Sequence, residues 1–444
     1  NSNPTANPMG NEPNFDKDQA YFAGDAAALA NVNKGWNADH TQWDGSKVTD
    51  TDWTDMVTRT GITHEHTLSA SGGTENIQGS FSFGYLNNKG TQKGQEYERY
   101  NVSTSVDIQA KPWLKMGGSI NASWSEQDYG YSRTGQVGTS SGPVDIYSAA
   151  KAIPRYAVPY DENGDLILQP AGSATNVYTV VDEWKKSTEN RQTLRALGSF
   201  YAQVDFGKIW EPLAGLSYKI SFGPDFRHYR NGLFIDASSA ARAGSTNYAR
   251  RNDDRYFSWT LDNMITYNKS IGDHSFNVTL LQSASKYNKE SGSMSEQNVL
   301  VPEFLWNNMG QIDIANTTKY QPGMSTGLTE SQLASYMARV NYSYKDRYLL
   351  TVSGRYDGSS VLAEGNKWAF FPSAALGWRI DQEEFMKDIT WINQLKVRFG
   401  VGCTGNSAVS PYGTLGVIGA YWMPFGNGGG NQQIFVTNEP YYTS

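Results

Sequence analysis

Between Arg339 and Ser360 the chain reads RVNYSYKDRYLLTVSGRYDGSS, with apolar or aromatic residues at every second position. Val340, Tyr342 and Tyr344 share one parity before the polar centre YKDRY, and Tyr348, Leu350, Val352 and Tyr356 share one parity after it. A period of two marks a β-strand, and two such runs about a short polar link predict a hairpin. One face of this hairpin is apolar. The other carries Arg339, Arg355 and Asp357.

The alternation recurs about twelve times from His64 to Cys403. GSFSFGYL sets Phe81, Phe83 and Tyr85 on one face, and YNVSTSVDIQ sets Val102, Val106 and Ile108 against Ser103, Ser105 and Asp107. TLRALGSFYAQVDF, LSYKISF, HSFNVTLL, AFFPSAALGWRI and QLKVRFGVGC repeat the scheme. YFSWTLDNMITY does so with Asn263 as an exception on its apolar face. Short links (SGGTEN, AKPW, GKIWEP, NKSIGDH, YKDRY, ITWINQ) alternate with longer polar segments, roughly 128–190, 228–254 and 286–333. The first sixty residues are polar, apart from DAAALANVN, which suits a helical turn.

Short turns on one side and long loops on the other describe a transmembrane β-barrel. Trp113, Trp210, Tyr267, Tyr344, Tyr348 and Trp391 lie in or beside the short links, where amphipathic rings would meet lipid headgroups. The apolar face then looks at lipid and the charged face into a polar lumen. Parity sends Arg195, Lys219, Arg339, Arg355, Asp357, Arg379, Lys396 and Arg398 inward, since a cation on the lipid face costs several kcal/mol near the midplane.

Composition agrees with one-sided strands. Among 444 residues, aromatics reach 13% against 38% hydrophobic overall, and mean hydropathy is −0.57. No apolar run approaches the ~18 residues of a membrane helix. A net charge of −7 without a basic tract argues against nucleic-acid binding. The single cysteine, Cys403, forms no intrachain disulfide.

Sites of chemistry are sparse. His64 and His66 share a strand face that Leu68 and Ala70 continue, with no third ligand in view, so no metal site is assigned. Asp50, Asp52 and Asp55, and the DENGD turn from Asp161 to Asp165, lack the spacing of a calcium loop and read as solvated loop and turn. Glu383 and Glu384 are adjacent at a strand end, not opposed across a cleft. Neither a catalytic centre nor a cofactor is expected.

TDWTDMVTRTG with the HEHTLSASGGTENIQGSFSFGYL run, and RVNYSYKDRYLLTVSGRYDGSSVL with KWAFFPSAALGWRI and WINQLKVRFGVGCTGN, resemble the barrel of SusC/RagA-type TonB-dependent transporters. The resemblance spans about Asp52 to Asn406. It implies an antiparallel, plugged barrel of 22 strands in the bacterial outer membrane, of which about twelve are present here. Residues 1–60 would form an extracellular loop region, 61–405 barrel strands, and 406–444 the start of a further loop. Plug, TonB-contacting segment and remaining strands would lie outside this stretch.

The implied activity is TonB-driven import of oligosaccharides, or peptides, with a SusD-like surface lipoprotein as lid. The inward charges would then hold the plug or touch substrate. Loop aromatics Trp36, Trp43, Tyr129, Tyr131 and Trp306 would stack on substrate or pack on the lid. A passive porin is the alternative, and a secreted all-β glycan-binding protein or enzyme a more distant one.

Overall fold

The structure is a computed structural model. It describes residues 14–130, 145–170, 177–242, 245–310, 323–386, 389 and 391–415, together with the backbone of 417–424 and 431–438. The strands are β1 (Ile62–Gly73), β2 (Ile77–Lys89), β3 (Gln95–Lys111), β4 (Leu114–Tyr129), β5 (Ser187–Asp205), β6 (Leu216–Ile235) and β7 (Tyr248–Ile271). They continue as β8 (His274–Gln297), β9 (Gly323–Tyr344), β10 (Tyr348–Ser359), β11 (Trp368–Arg379) and β12 (Lys396–Gly402). These twelve make one antiparallel sheet in sequence order, β1 to β12. A separate pair, β13 (Val417–Pro424) and β14 (Asn431–Asn438), falls in the region read as loop.

Every alternating run is a strand, but several strands extend far past it. LSYKISF continues to Ile235, and HSFNVTLL to Gln297. The added lengths occupy much of what reads as loop in the sequence. There polar residues are mixed on both faces and the end of β6 (Leu233, Phe234, Ile235) is apolar on both, so the period that identifies a strand is lost although the ladder goes on. The short link between β9 and β10 turns through Lys345 and Asp346, with φ of 53° and 52°. Two consecutive left-handed residues match the twist of the strands they join.

The register assigns the faces. Tyr342, Val340 and Tyr336 of β9 stand opposite Leu350, Val352 and Tyr356 of β10, and those opposite Leu376, Ala374 and Phe370 of β11. Val340, Val352, Tyr356, Phe370 and Leu376 are exposed. Tyr342 and Leu350 are half-buried, and Tyr342 is covered in part by His274 and Phe276. An apolar row such as Leu114 to Trp124 spans about eleven residues. At ~3.3 Å per residue and ~40° of tilt it rises about 25 Å, the height of an outer-membrane apolar band.

The most extensive buried cluster lies outside the sheet. From the first segment, helix α1 (Phe15–Tyr21) lies against α2 (Ala26–Asn33), and α3 (Trp53–Val57) packs on α4 (Ile146–Ala152) from the β4–β5 connection, with α2 in the same buried cluster. Val32, Trp53, Val57, Ile146 and Tyr156 are buried between them. The Asn31 amide donates to the carbonyls of Thr49 and Tyr156, both at 2.9 Å. Asp50 takes both forks of Arg155 at 2.5 Å. The first segment and the β4–β5 connection thus form one folded cap. A short helix, α5 (Glu183–Lys186), leads from it into β5.

Candidate functional site

The apolar face has an aromatic row at each end. Near the short links, His274, Tyr344 and Tyr348 follow one another with centroids 4.9 and 6.4 Å apart. Glu383 gathers this end: it accepts from the Tyr348 hydroxyl at 2.7 Å, the Trp378 indole at 3.0 Å and Arg347 at 3.1 Å. A carboxylate that reads as a plain strand end is therefore a hub. At the other end, Tyr85, Tyr100 and Trp124 are 4.9 and 5.8 Å apart, and Trp368 lies 4.9 Å from Tyr356 and 6.3 Å from Tyr336. Tyr85 and Tyr100 both donate to Glu98 at 2.9 Å. Beyond this second row the same parity carries Glu96, Glu126 and Asp128, so the apolar band ends there. His64 and His66 belong to this row, the latter stacked at 11° on Tyr85. The second row escapes a reading of links alone. Its sequence signal is an aromatic residue of matching parity about ten positions from the first.

Asn263, the exception on the apolar face, has partners. The Tyr218 hydroxyl donates to its carbonyl at 2.6 Å, and its amide donates to Gln282 at 2.6 Å. Three polar groups from adjacent strands thus satisfy one another within the apolar band.

The opposite face is polar throughout. Small hydroxyls and amides bridge neighbouring strands: Ser80 with Ser105 at 2.7 Å, Ser103 with Asn121 at 2.6 Å, and Ser353 with Ser373 at 2.7 Å. A relay runs from Thr351 to Asn341, Asn277 and Asn268 across β10, β9, β8 and β7. The eight expected charges all share this face by register. Arg355 binds Asp357 at 2.7 Å and Ser335 at 2.9 Å, so this pair is largely closed on itself. Arg195 is held by Asp225 at 2.7 Å. Lys219 sits 4.6 Å over the Tyr201 ring. Arg379 reaches Asp381 at 3.1 Å and stands opposite Lys396. Arg339, Lys396 and Arg398 are exposed with no ion pair among the described residues.

The loop aromatics divide. Trp36 is in the cap core, its indole donating to Asp18 at 3.0 Å, and Trp306 is buried against Phe234, Ala249 and Val299. Neither presents a free ring face. Trp43 packs between Trp36 and Tyr156 at 5.5 and 6.3 Å, and Tyr129 lies 3.7 Å under the Arg191 guanidinium. Tyr131 is outside the described residues. Sequence reasoning missed tyrosines on the charged parity, Tyr229, Tyr256 and Tyr287, because the alternation rule sends aromatics to the lipid side.

No family model matches the chain. Among curated proteins it is 29% identical over 407 residues to TonB-dependent receptor P3 of Formosa agariphila, covering 91% of this chain and 38% of that protein. It is 27% identical to TonB-dependent receptor SusC of Bacteroides thetaiotaomicron, covering 81% and 35%. The solved RagAB peptide transporter superposes with a TM-score of 0.73 at 20% identity, covering 97% of this chain and 46% of that one. The chain thus spans less than half the length of the relatives it matches. With a twelve-stranded sheet in sequence order, an apolar band between two aromatic rows and these similarities, the chain is similar to the SusC/RagA-type TonB-dependent receptors and has the fold of part of an outer-membrane β-barrel.

Proposed function

We propose that the chain is the central barrel wall of a TonB-driven importer of oligosaccharides, working with a SusD-like surface lipoprotein. The observation that carries the reading is the open twelve-stranded sheet, apolar outside and charged inside, whose edges call for further strands. A barrel wide enough to hold a plug needs about 22. Binding would occur between lid and barrel, and displacement of the plug would open the way to the periplasm. The folded cap (residues 14–60 with part of 145–186) lies at the extracellular end in this reading, and the short links lie in the periplasm.

The exposed cations Arg339, Lys396 and Arg398 are the strongest candidates for holding the plug, because each lacks a carboxylate of its own. Arg195, Lys219, Arg355, Asp357 and Arg379 would shape the wall around them. A passive porin would need the same wall but no energy. In the native bacterium, deleting the gene should abolish growth on one class of oligosaccharide, and so should removing TonB. Uptake that persists without TonB would turn the reading to a porin. Uptake of peptides alone would change its cargo.

A further inference from the structure

The polar face carries a second cluster, distinct from the exposed cations assigned to the plug. Arg227 of β6 lies 5.5 Å from the Tyr229 ring and 5.0 Å from the Tyr256 ring. Lys289 of β8 is 5.2 Å from Tyr256, and the Tyr256 and Tyr287 rings are 6.4 Å apart at 48°. The register places these groups together, with Arg227 opposite Tyr256, Tyr256 opposite Lys289, and Tyr229 opposite Asp254. The rings are half-buried and Arg227 is exposed. On the other face of β6, Arg227 is flanked by Phe226 and His228, which puts the cluster at the end of the apolar band away from the short links.

The cluster is not neutral. Asp254 accepts from the Tyr256 hydroxyl at 2.9 Å and pairs with Lys289 at 3.3 Å. The neighbouring Arg195 is taken by Asp225. Among the described residues no carboxylate is within ion-pair distance of Arg227. A guanidinium framed by two aromatic rings, on a rigid three-strand platform, can take an anion.

We propose that Arg227, Tyr229, Tyr256, Tyr287 and Lys289 form a lumenal binding site for an anionic oligosaccharide, one bearing uronate carboxylates or sulfate esters. The inference rests on the importer reading and names the cargo class. Pyranose rings lay their C–H faces on tyrosines, and a guanidinium takes a carboxylate or sulfate through two parallel hydrogen bonds. An extended peptide is a poorer match. Peptides bind sheets by backbone pairing at a free edge, and β6, β7 and β8 are paired on both sides. The site offers rings and cations but no backbone.

The test uses the full-length transporter with its native lipoprotein, purified in detergent, with Arg227→Gln and Tyr256→Ala as variants. Titration calorimetry would compare a galacturonate tetramer, a sulfated heparin tetramer, a neutral maltotetraose and a tetraglutamate peptide. At least one anionic saccharide should bind, at least tenfold tighter than maltotetraose and tetraglutamate. Arg227→Gln should weaken it tenfold or more and flatten its salt dependence, with retained heat-modifiable gel mobility showing an intact barrel. Equal binding of the neutral sugar or the peptide overturns the assignment, as does no binding of either anionic saccharide. If the variants bind the saccharide normally but pass more large antibiotic, the cluster is a plug contact instead. Loss of TonB dependence in cells would sink the importer reading while leaving this binding result standing.

Discussion

Glu183 shows how single residues knit the outer segments together. Its side chain is fully buried, yet it accepts from the Ser239 hydroxyl at 2.7 Å, the Ala240 N–H at 3.1 and 3.0 Å, and the Lys186 ammonium at 3.0 Å. It ties the segment before β5 to the one after β6. Asn247 does the same for the next pair, exchanging hydrogen bonds with Val299 at 3.0 and 2.7 Å. Glu183→Ala leaves the buried Ser239 hydroxyl and Ala240 N–H without their acceptor and the half-buried Lys186 ammonium unpaired, so local stability should fall by about 2 kcal/mol. Hydrogen exchange should rise around 236–242 and leave β3 and β4 unchanged; uniform protection would remove the role. Acid should act on the cap through its aspartates. The Thr54 hydroxyl on Asp52, the Ser46 hydroxyl on Asp44 and the Asp165 N–H on Asp161 hold these carboxyls below the ordinary 3.8. Folded values below unfolded ones mean stability present above pH ~4 and lost as pH falls further. Proteolysis at matched pH values should find the cap opening first, with the barrel intact. Asp50, Asp52 and Asp55 and the Asp161–Asp165 turn read as solvated loop and turn in the sequence. Asp52 and Asp44 cap their own segments, which is local and legible, whereas the Asp50 partner Arg155 is 105 residues away.

At the scale of the element, alternation predicts all twelve strands and their two faces, because an apolar medium on one side and water on the other impose a period of two. It stops working past the apolar band, where polar residues mix on both faces and the end of β6 is covered on both, which is why the outer halves of β6, β7 and β8 read as loops. The polar trio of Tyr218, Asn263 and Gln282 marks the other limit. A lone Asn on an apolar row looks like an error until the register brings its partners in. Asn263→Ala should strand the Tyr218 hydroxyl and the Gln282 carbonyl in hydrocarbon and cost about 1–3 kcal/mol. Replacing all three by Phe, Leu and Leu should come close to wild type, read as urea resistance of the full-length protein in lipid vesicles. If the single and triple variants fall equally, the three groups are not coupled. The lumenal tyrosines lie beyond sequence reading for a related reason: the ring type points outward and only the parity points inward.

At the scale of the molecule, β1 pairs only with β2 and β12 only with β11. Each leaves one side of its backbone unpaired within the described sheet, and unpaired backbone is not tolerated in hydrocarbon. Expressed alone, residues 1–444 should fail to insert into vesicles, while the full-length protein inserts. Insertion of the isolated stretch with protease-resistant strands would show that it closes on itself.

The strand order has a consequence for how such a wall is made. Every strand lies beside the one that precedes it in the chain, with no crossover anywhere in the sheet. Each new strand therefore meets its partner after closing only one connection, and the entropy of closing a loop grows slowly with its length. The wall can grow like a zip, with one advancing edge that is a template for the next strand. Only the final seam requires residues from opposite ends of the polypeptide to find each other. The slow step of biogenesis then falls on that seam, and whatever holds the two raw edges apart until the last strand arrives governs whether the barrel closes or aggregates.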